Sequence, residues 1–371
     1  MAGDGGERRD GRAGRSGSGP QNGAVRRGEA RRIVVTGSVA TDHLSVFPGR
    51  FADQLVPDHL DHISLSFLVD TLEIRPGGVA ANIAYGLASL GHRPLLVAAV
   101  GSDFQEHGRR LRAHGVDTSP VRVSSSLPTA RFTCTTDADG NQLASFYPGA
   151  MTEASGIDLA ALARAHRPGF VLVGADDPRA MLRHTRACRA LGLRFAADPS
   201  QQLALADGAT IRELVDGADH LFTNEYENAL LLAKAGWTRA DVLGRVGTWI
   251  TTLGAKGCRI DREGEPGIEV AAVPAATATD PTGVGDAFRA GYLAGLAGGL
   301  TAVRAARAGA ALATLALASV GPQTYRAGPG RLGELLTTAY GGQEAAAVLA
   351  GLPRAYAPSS APPEPRGART G

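Results

Sequence analysis

Short β-rich runs alternate with longer runs of Ala, Leu and Arg over most of this chain, and that rhythm restricts the fold more than any other feature. Segments 33–37, 95–100, 170–173, 194–197, 220–223 and 248–253 read as strands. Segments 80–90, 178–191 and 211–215 between them carry helical periodicity. A strand that follows a crossover helix pairs in parallel, so the pattern predicts an α/β fold with a central, mainly parallel sheet and helices on both faces. Towards the C-terminus the chain becomes helical. Segments 287–296 and 302–318 are alanine-rich and lightly charged, the composition of buried helices.

Two regions break the alternation. Between residues 63 and 74 the period is two, with Ile63, Leu65, Phe67 and Val69 on one face. Residues 130–147 read as a hairpin, two β-rich arms around Asp137-Ala138-Asp139-Gly140-Asn141. Together they predict a small β-sheet lid, with segments at about 44–75 and 128–148, over a ligand site.

The 371 residues exceed one average domain. Residues 1–30 are mainly Gly, Arg and Ser with almost no aliphatic content, and residues 353–371 are rich in Pro, Ala and Arg; neither holds enough apolar surface to offset ordering, so both read as disordered tails. One large domain over 31–345 is expected between them. Net charge is +2, and no basic stripe interleaves with aromatics, which argues against a nucleic-acid partner. Cys134, Cys188 and Cys258 lie far apart and lack the spacing of a zinc site or disulfide framework. With no long apolar run and no apolar leader core, no membrane association and a cytoplasmic location are expected.

Chemistry concentrates in Asp280-Pro281-Thr282-Gly283-Val284-Gly285-Asp286-Ala287-Phe288. The two glycines let backbone N–H groups approach an anion, and the helix that starts there adds unpaired donors and a favourable dipole. Asp286 would repel a bound phosphate. That conflict resolves if its carboxylate takes a proton from a hydroxyl attacking phosphorus, so the segment reads as a phosphoryl-transfer site. Three further segments fit. Gly77 and Gly78 precede a helix carrying Asn82 in its first turns. Asn224 and Glu227 follow a strand, at the carboxyl edge where ligands of open α/β sheets bind. Thr252, Gly254 and Gly257 also follow a strand, where glycines would let backbone approach a nucleotide.

With these residues the chain resembles the ribokinase-like sugar and nucleoside kinases, the PfkB family. The signature Asp-Thr-x-Gly-Ala-Gly-Asp appears as residues 280–286, with Pro281 and Val284 as departures that leave the needed backbone intact. The Gly-Gly…Asn, Asn-x-x-Glu and Thr-x-Gly-x-x-Gly motifs match Gly77, Gly78 and Asn82, then residues 224–227 and 252–257. Finer stretches, among them 35–44, 64–70, 130–137, 144–151 and 197–202, look like the bacterial adenosine kinases of this family.

The resemblance implies transfer of the γ-phosphoryl group of ATP to the 5′-hydroxyl of adenosine, in purine salvage. Asp286 would be the general base, with Gly283, Val284 and Gly285 supplying an anion hole. Mg2+ would be held through water by Glu227 with help from Asn224. Asn224, Thr252, Gly254 and Gly257 would bind ATP. Asp42, Gly77, Gly78 and Asn82, with Ser38 nearby, would hold the ribose. Phe132 and Phe146 would lie against the purine, and Ser66 and Gln202 would hydrogen-bond the base. The family also brings a K+ ion beside Asp280 and Thr282, closed by the 316–321 loop, and a homodimer paired through the lid. Two alternatives stay open: a sugar kinase acting on ribose, fructose or a sugar phosphate, and a silent nucleoside-binding protein.

Overall fold

The computed structural model describes residues 32–54 and 66–353. The two expected tails, save residue 353, and Ile63 and Leu65 of the expected period-two strand lie outside these. In chain order the described strands are β1 (Ile33–Thr36), β2 (Ala40–Val46), β3 (Thr71–Gly77), β4 (Leu95–Val97), β5 (Ala99–Val100), β6 (Arg122–Val123) and β7 (Ala130–Thr136). They continue with β8 (Gln142–Tyr147), β9 (Phe170–Gly174), β10 (Phe195–Asp198), β11 (His220–Asn224), β12 (Thr248–Thr252), β13 (Cys258–Asp261) and β14 (Ile268–Val270).

Eight strands form the central sheet, in the order β14-β13-β12-β11-β10-β9-β1-β4. From β4 to β12 every pairing is parallel; β13 and β14 extend it antiparallel. The parallel strands are almost wholly buried, as they must be when helices cover both faces. Two apolar clusters result. One packs Val35, Leu96, Leu172 and Phe222 against the helices Val79–Ser89, Val284–Ala297 and Ala302–Leu317; the other packs Val34, Val171, Phe195 and Trp249 against the helices of the opposite face.

The lid is a four-stranded sheet in the order β3-β2-β7-β8. Its strand β2 leaves β1 after only a short link, a strand the sequence pattern did not single out. Segment 95–100 was expected to be one strand but divides into β4, in the central sheet, and β5, which pairs with β6. The expected strand over 63–74 is also corrected. Residues 66–69 carry no strand, and β3 begins only at Thr71, opposite Val46. Phe67 instead packs its ring on Phe47 and Phe51, 4.8 and 5.3 Å away between centroids. The hairpin between β7 and β8 forms as expected. The Asp137 carboxylate accepts hydrogen bonds from the backbone N–H groups of Asp139 and Asn141, at 3.0 and 2.8 Å, and so pins the turn.

Register decides which lid residues face the site. Arg75, Asp42, Phe132 and Phe146 are direct cross-strand partners over β3-β2-β7-β8 and therefore share one face. The opposite face carries exposed Leu72, Ile74, Leu143 and Tyr147. Among the described residues no helix is long and apolar enough to cross a membrane.

Candidate active site

Parallel strands end on a common edge, and the elements that follow them build the site there. Ser38 follows β1, Asp176 follows β9, Asp198 ends β10, Asn224 ends β11 and Thr252 ends β12. The helix Val284–Ala297 starts at Gly283, whose φ of +75° closes the turn from Asp280. Asp286 falls in the first turn of this helix.

Asp286 is half-buried, and its Oδ2 accepts a hydrogen bond of 2.8 Å from Asn82 Nδ2. Desolvation raises its pKa to about 7; the positive charge of Arg289 and the Asn82 hydrogen bond oppose that rise, while Asp198 and Asp42 add to it. A carboxyl group so poised accepts a proton near neutral pH far more readily than an ordinary aspartate does. Val284 N–H is directed to the Pro281 carbonyl at 3.3 Å, which leaves Gly283 and Gly285 as the freer backbone donors of the expected anion hole.

Asp42 lies opposite this group on the lid. Burial raises its pKa to about 6, with Arg75 opposing and Asp280 adding to the shift. Its carboxylate lies over Gly77, where an added Cβ would come within 2.6 Å of Oδ2. Gly78 has a φ of +96°, and a Cβ there would meet Ser38 O, Val39 Cα and Ala40 N, each at 2.6 Å. Only glycine fits between the lid hinge and the helix Val79–Ser89. Ser38 Oγ accepts from Val79 N–H at 3.1 Å and so caps that crossing.

Asn224 and Glu227 form a reciprocal capping box: Asn224 Oδ1 accepts from Glu227 N–H and Glu227 Oε2 accepts from Asn224 N–H, both at 2.8 Å. Among the described residues Glu227 Oε1 keeps only a 3.4 Å contact with Ser200 Oγ. Gln202 is half-buried and donates its Nε2 to the Asp176 carbonyl at 2.9 Å, leaving its Oε1. Thr252 ends β12, and the turn Gly254–Lys256 with Gly257 follows it.

Two expectations do not find their geometry. Ser66 is exposed beside Phe67, which packs at the far end of the lid near Phe47, about 16 Å along β2 from Asp42. The structure therefore does not bring Ser66 to the other site residues. Asp280 is fully engaged: Oδ1 accepts from Thr282 N–H at 2.9 Å, and Oδ2 accepts from Gly321 N–H at 2.9 Å and Arg75 Nη1 at 2.7 Å. Burial alone would raise its pKa, but these donors and the Arg75 charge hold it below the usual carboxylate range. A carboxylate already facing a guanidinium does not fit a potassium ion.

Residues 36–327 match the sequence profile of the pfkB family carbohydrate kinases. The chain belongs to the PfkB family. Nucleoside kinases, ribokinases and fructokinases are all among its relatives and structural neighbours. The nucleoside kinase of Methanothermobacter thermautotrophicus is 29% identical over 306 residues, covering 80% of this chain and 92% of that protein. The nucleoside kinase of Methanocaldococcus jannaschii is 30% identical over 255 residues, 67% of this chain and 81% of that one. The structure of Burkholderia thailandensis nucleoside kinase in complex with inosine superposes with a TM-score of 0.74 at 35% identity, covering 83% of this chain and 98% of the other. The protein is an ATP-dependent PfkB kinase of the nucleoside and sugar group, built on the ribokinase-like fold.

The PfkB motifs do not contain every charged group at this site. Arg289 lies one turn after Asp286, buried, with Nε 2.6 Å from Asp198 Oδ2 and Nη2 4.0 Å from Glu227 Oε2. Asp198 is completely buried. One guanidinium thus stands among three carboxylates, those of Asp198, Glu227 and Asp286. The signal was present in the sequence, a single arginine in a helix whose only other charged residue is Asp286, but burial of its partner could be seen only in three dimensions.

Proposed function

We propose that this PfkB kinase phosphorylates the 5′-hydroxyl of purine nucleosides, with adenosine as its acceptor. The observation that carries this reading is the ladder Arg75-Asp42-Phe132-Phe146 on one lid face. Phe132 is half-buried and Phe146 is 47% exposed, so a flat aromatic surface stands open beside a carboxylate. A purine has a face to lay against those rings, and a ribose has two hydroxyls for Asp42 to accept from. A sugar alone has little use for the rings.

In this reading Asp286 accepts the 5′-hydroxyl proton as the O5′–Pγ bond forms and the bond from Pγ to the ADP oxygen breaks. Asn82 orients Asp286 through its 2.8 Å hydrogen bond. Backbone donors of Gly283 and Gly285 at the helix N-terminus offset charge on the transferring group. Thr252, Gly254 and Gly257 line the edge where ATP would lie, and Gln202 Oε1 is left to the base. Mg2+ would lower the charge of the ATP phosphates, with Glu227 Oε1, outside the capping box, and the side chain of Asn224 reaching it through water. Those oxygens suit an outer-sphere contact, because Glu227 is otherwise held in its capping box. Pairing of two copies through the exposed outer lid face belongs to the same proposal, and light scattering in solution tests it.

The experiment is ADP release from Mg-ATP with adenosine, inosine, guanosine, ribose, fructose and fructose 6-phosphate, for the wild type and Asp286→Asn. Turnover with purine nucleosides that disappears in Asp286→Asn, with adenosine binding kept, is the expected result. Turnover with a sugar alone would move Phe132 and Phe146 out of the site. Retained turnover in Asp286→Asn would remove the base assignment.

A further inference from the structure

Behind Asn82 runs a second line of contacts that no part of the reaction scheme uses. Gln323 Nε2 donates to Asn82 Oδ1 at 2.8 Å, and Gln323 Oε1 lies 2.9 Å from His107 Nε2. Asn82, Gln323 and His107 are all buried. His107 sits on the helix Gln105–Ala113 and Gln323 on the loop after Ala302–Leu317, so three separate segments meet in this chain.

The sense of each bond is fixed. The Gln323 carbonyl oxygen can only accept, so His107 Nε2 must carry the proton. Burial lowers the His107 pKa to about 4, so the ring is neutral at working pH, and its Nδ1 has no hydrogen-bond partner among the described residues. A neutral Nε2–H ring orients Gln323; Gln323 in turn spends its N–H on Asn82 Oδ1. That leaves Asn82 with its amide N–H groups facing Asp286, as the 2.8 Å bond requires. The reversed amide would put a carbonyl oxygen against a carboxylate. The same loop touches the site twice more. Gly321 N–H donates to Asp280, and Pro322 packs over Gly283, where an added Cβ would come within 2.4 Å of Pro322 Cβ.

We infer that His107 and Gln323 are positioning residues for phosphoryl transfer. They set the direction of the Asn82 amide and thereby hold Asp286 in the orientation and charge state that accepts a proton. The inference rests on the proposed role of Asp286. Neither residue occurs in the family motifs that the chain displays.

The test uses Gln323→Leu, His107→Leu and His107→Gln in the full chain, assayed with Mg-ATP and adenosine over the acid limb of kcat/KM. The charged groups acting on Asp286 are Arg289, Asp198 and Asp42, and the charge acting on His107 is Arg110; all four stay in place in these variants. Gln323→Leu is expected to lower kcat about 10- to 100-fold with a smaller change in KM. Its acid limb should rise by about one pH unit, because the carboxylate loses an oriented donor. His107→Leu should shift both in the same directions, and His107→Gln, which keeps an N–H for Gln323, should restore them. A wild-type kcat and limb in Gln323→Leu would overturn the inference. So would equal impairment of His107→Gln and His107→Leu with the limb unmoved, the pattern of simple destabilisation. Asp286→Asn run alongside separates the two levels: if it keeps turnover the base assignment fails, and if it alone loses turnover only the positioning chain fails.

Discussion

Arg289 offers the sharpest test of how this site is held together. Replacing it by methionine keeps much of the side-chain length and removes the charge. Asp198 then faces a dry interior with no cation, since it is fully buried and its only ion-pair partner among the described residues is Arg289. Breaking one side of such a pair costs about 3–5 kcal/mol, far more than the pair gains over an apolar replacement of both members. Desolvation already raises the Asp198 pKa against the pull of Arg289, so without Arg289 the carboxyl escapes its penalty by binding a proton. The sign follows. A carboxyl whose pKa is raised by folding favours the folded state at low pH and loses that contribution as pH rises through its folded value. The deficit of Arg289→Met should therefore be large at alkaline pH and shrink as pH falls. Urea unfolding followed by fluorescence of buried Trp249 and by circular dichroism reads it directly. Arg289→Met with Asp198→Asn should recover part of the loss, a coupling of about 1–3 kcal/mol. A deficit below about 1 kcal/mol, or one that does not change with pH, would refute this account of the buried pair.

Four further outcomes are expected. Because the Asp286 pKa is raised to about 7 and only its carboxylate can accept a proton, kcat/KM should fall about ten-fold for each pH unit below that value; a limb near the ordinary aspartate range would contradict it. Gly283→Ala, at a φ of +75° and with its Cβ 2.4 Å from Pro322 Cβ, should lower kcat about 100-fold by displacing the anion hole. Gly236→Ala, at a φ of +66° with open space around it, should cost about 1 kcal/mol of stability and leave kcat unchanged, which thermal melts and initial rates on both variants would check. Phe132→Ala and Phe146→Ala should each raise the KM for adenosine about ten-fold, and unchanged values would remove the purine from the lid face.

Much of the fold was legible because it rests on local rules. The strands that became β1, β9, β10, β11 and β12 are short apolar runs with helical periodicity between them, and burial on both faces leaves that mark in sequence. The helix start at Gly283 was legible for the same reason, since a glycine turn and an acid in the first turn are local signals. Strand β2 was not, because Ala40–Val46 is mostly polar and earns its place only by pairing with β3 and β7. Nor was the division of 95–100, where consecutive residues choose different partners, or the loss of strand over 66–69, where Phe67 turns to a cluster of rings instead of a ladder.

The candidate site divides along the same line. Sequence by itself determined the α/β class, the glycine-bounded helix start with Asp286 and the paired aromatics of the hairpin, since each depends on spacing within a few residues. Tertiary structure alone decided that Arg75 neutralises Asp280, that Arg289 stands among Asp198, Glu227 and Asp286, and that His107 and Gln323 stand behind Asn82. Those contacts join residues far apart in the chain. Their strength comes from exclusion of water, a property of the packed molecule that no short stretch of sequence carries.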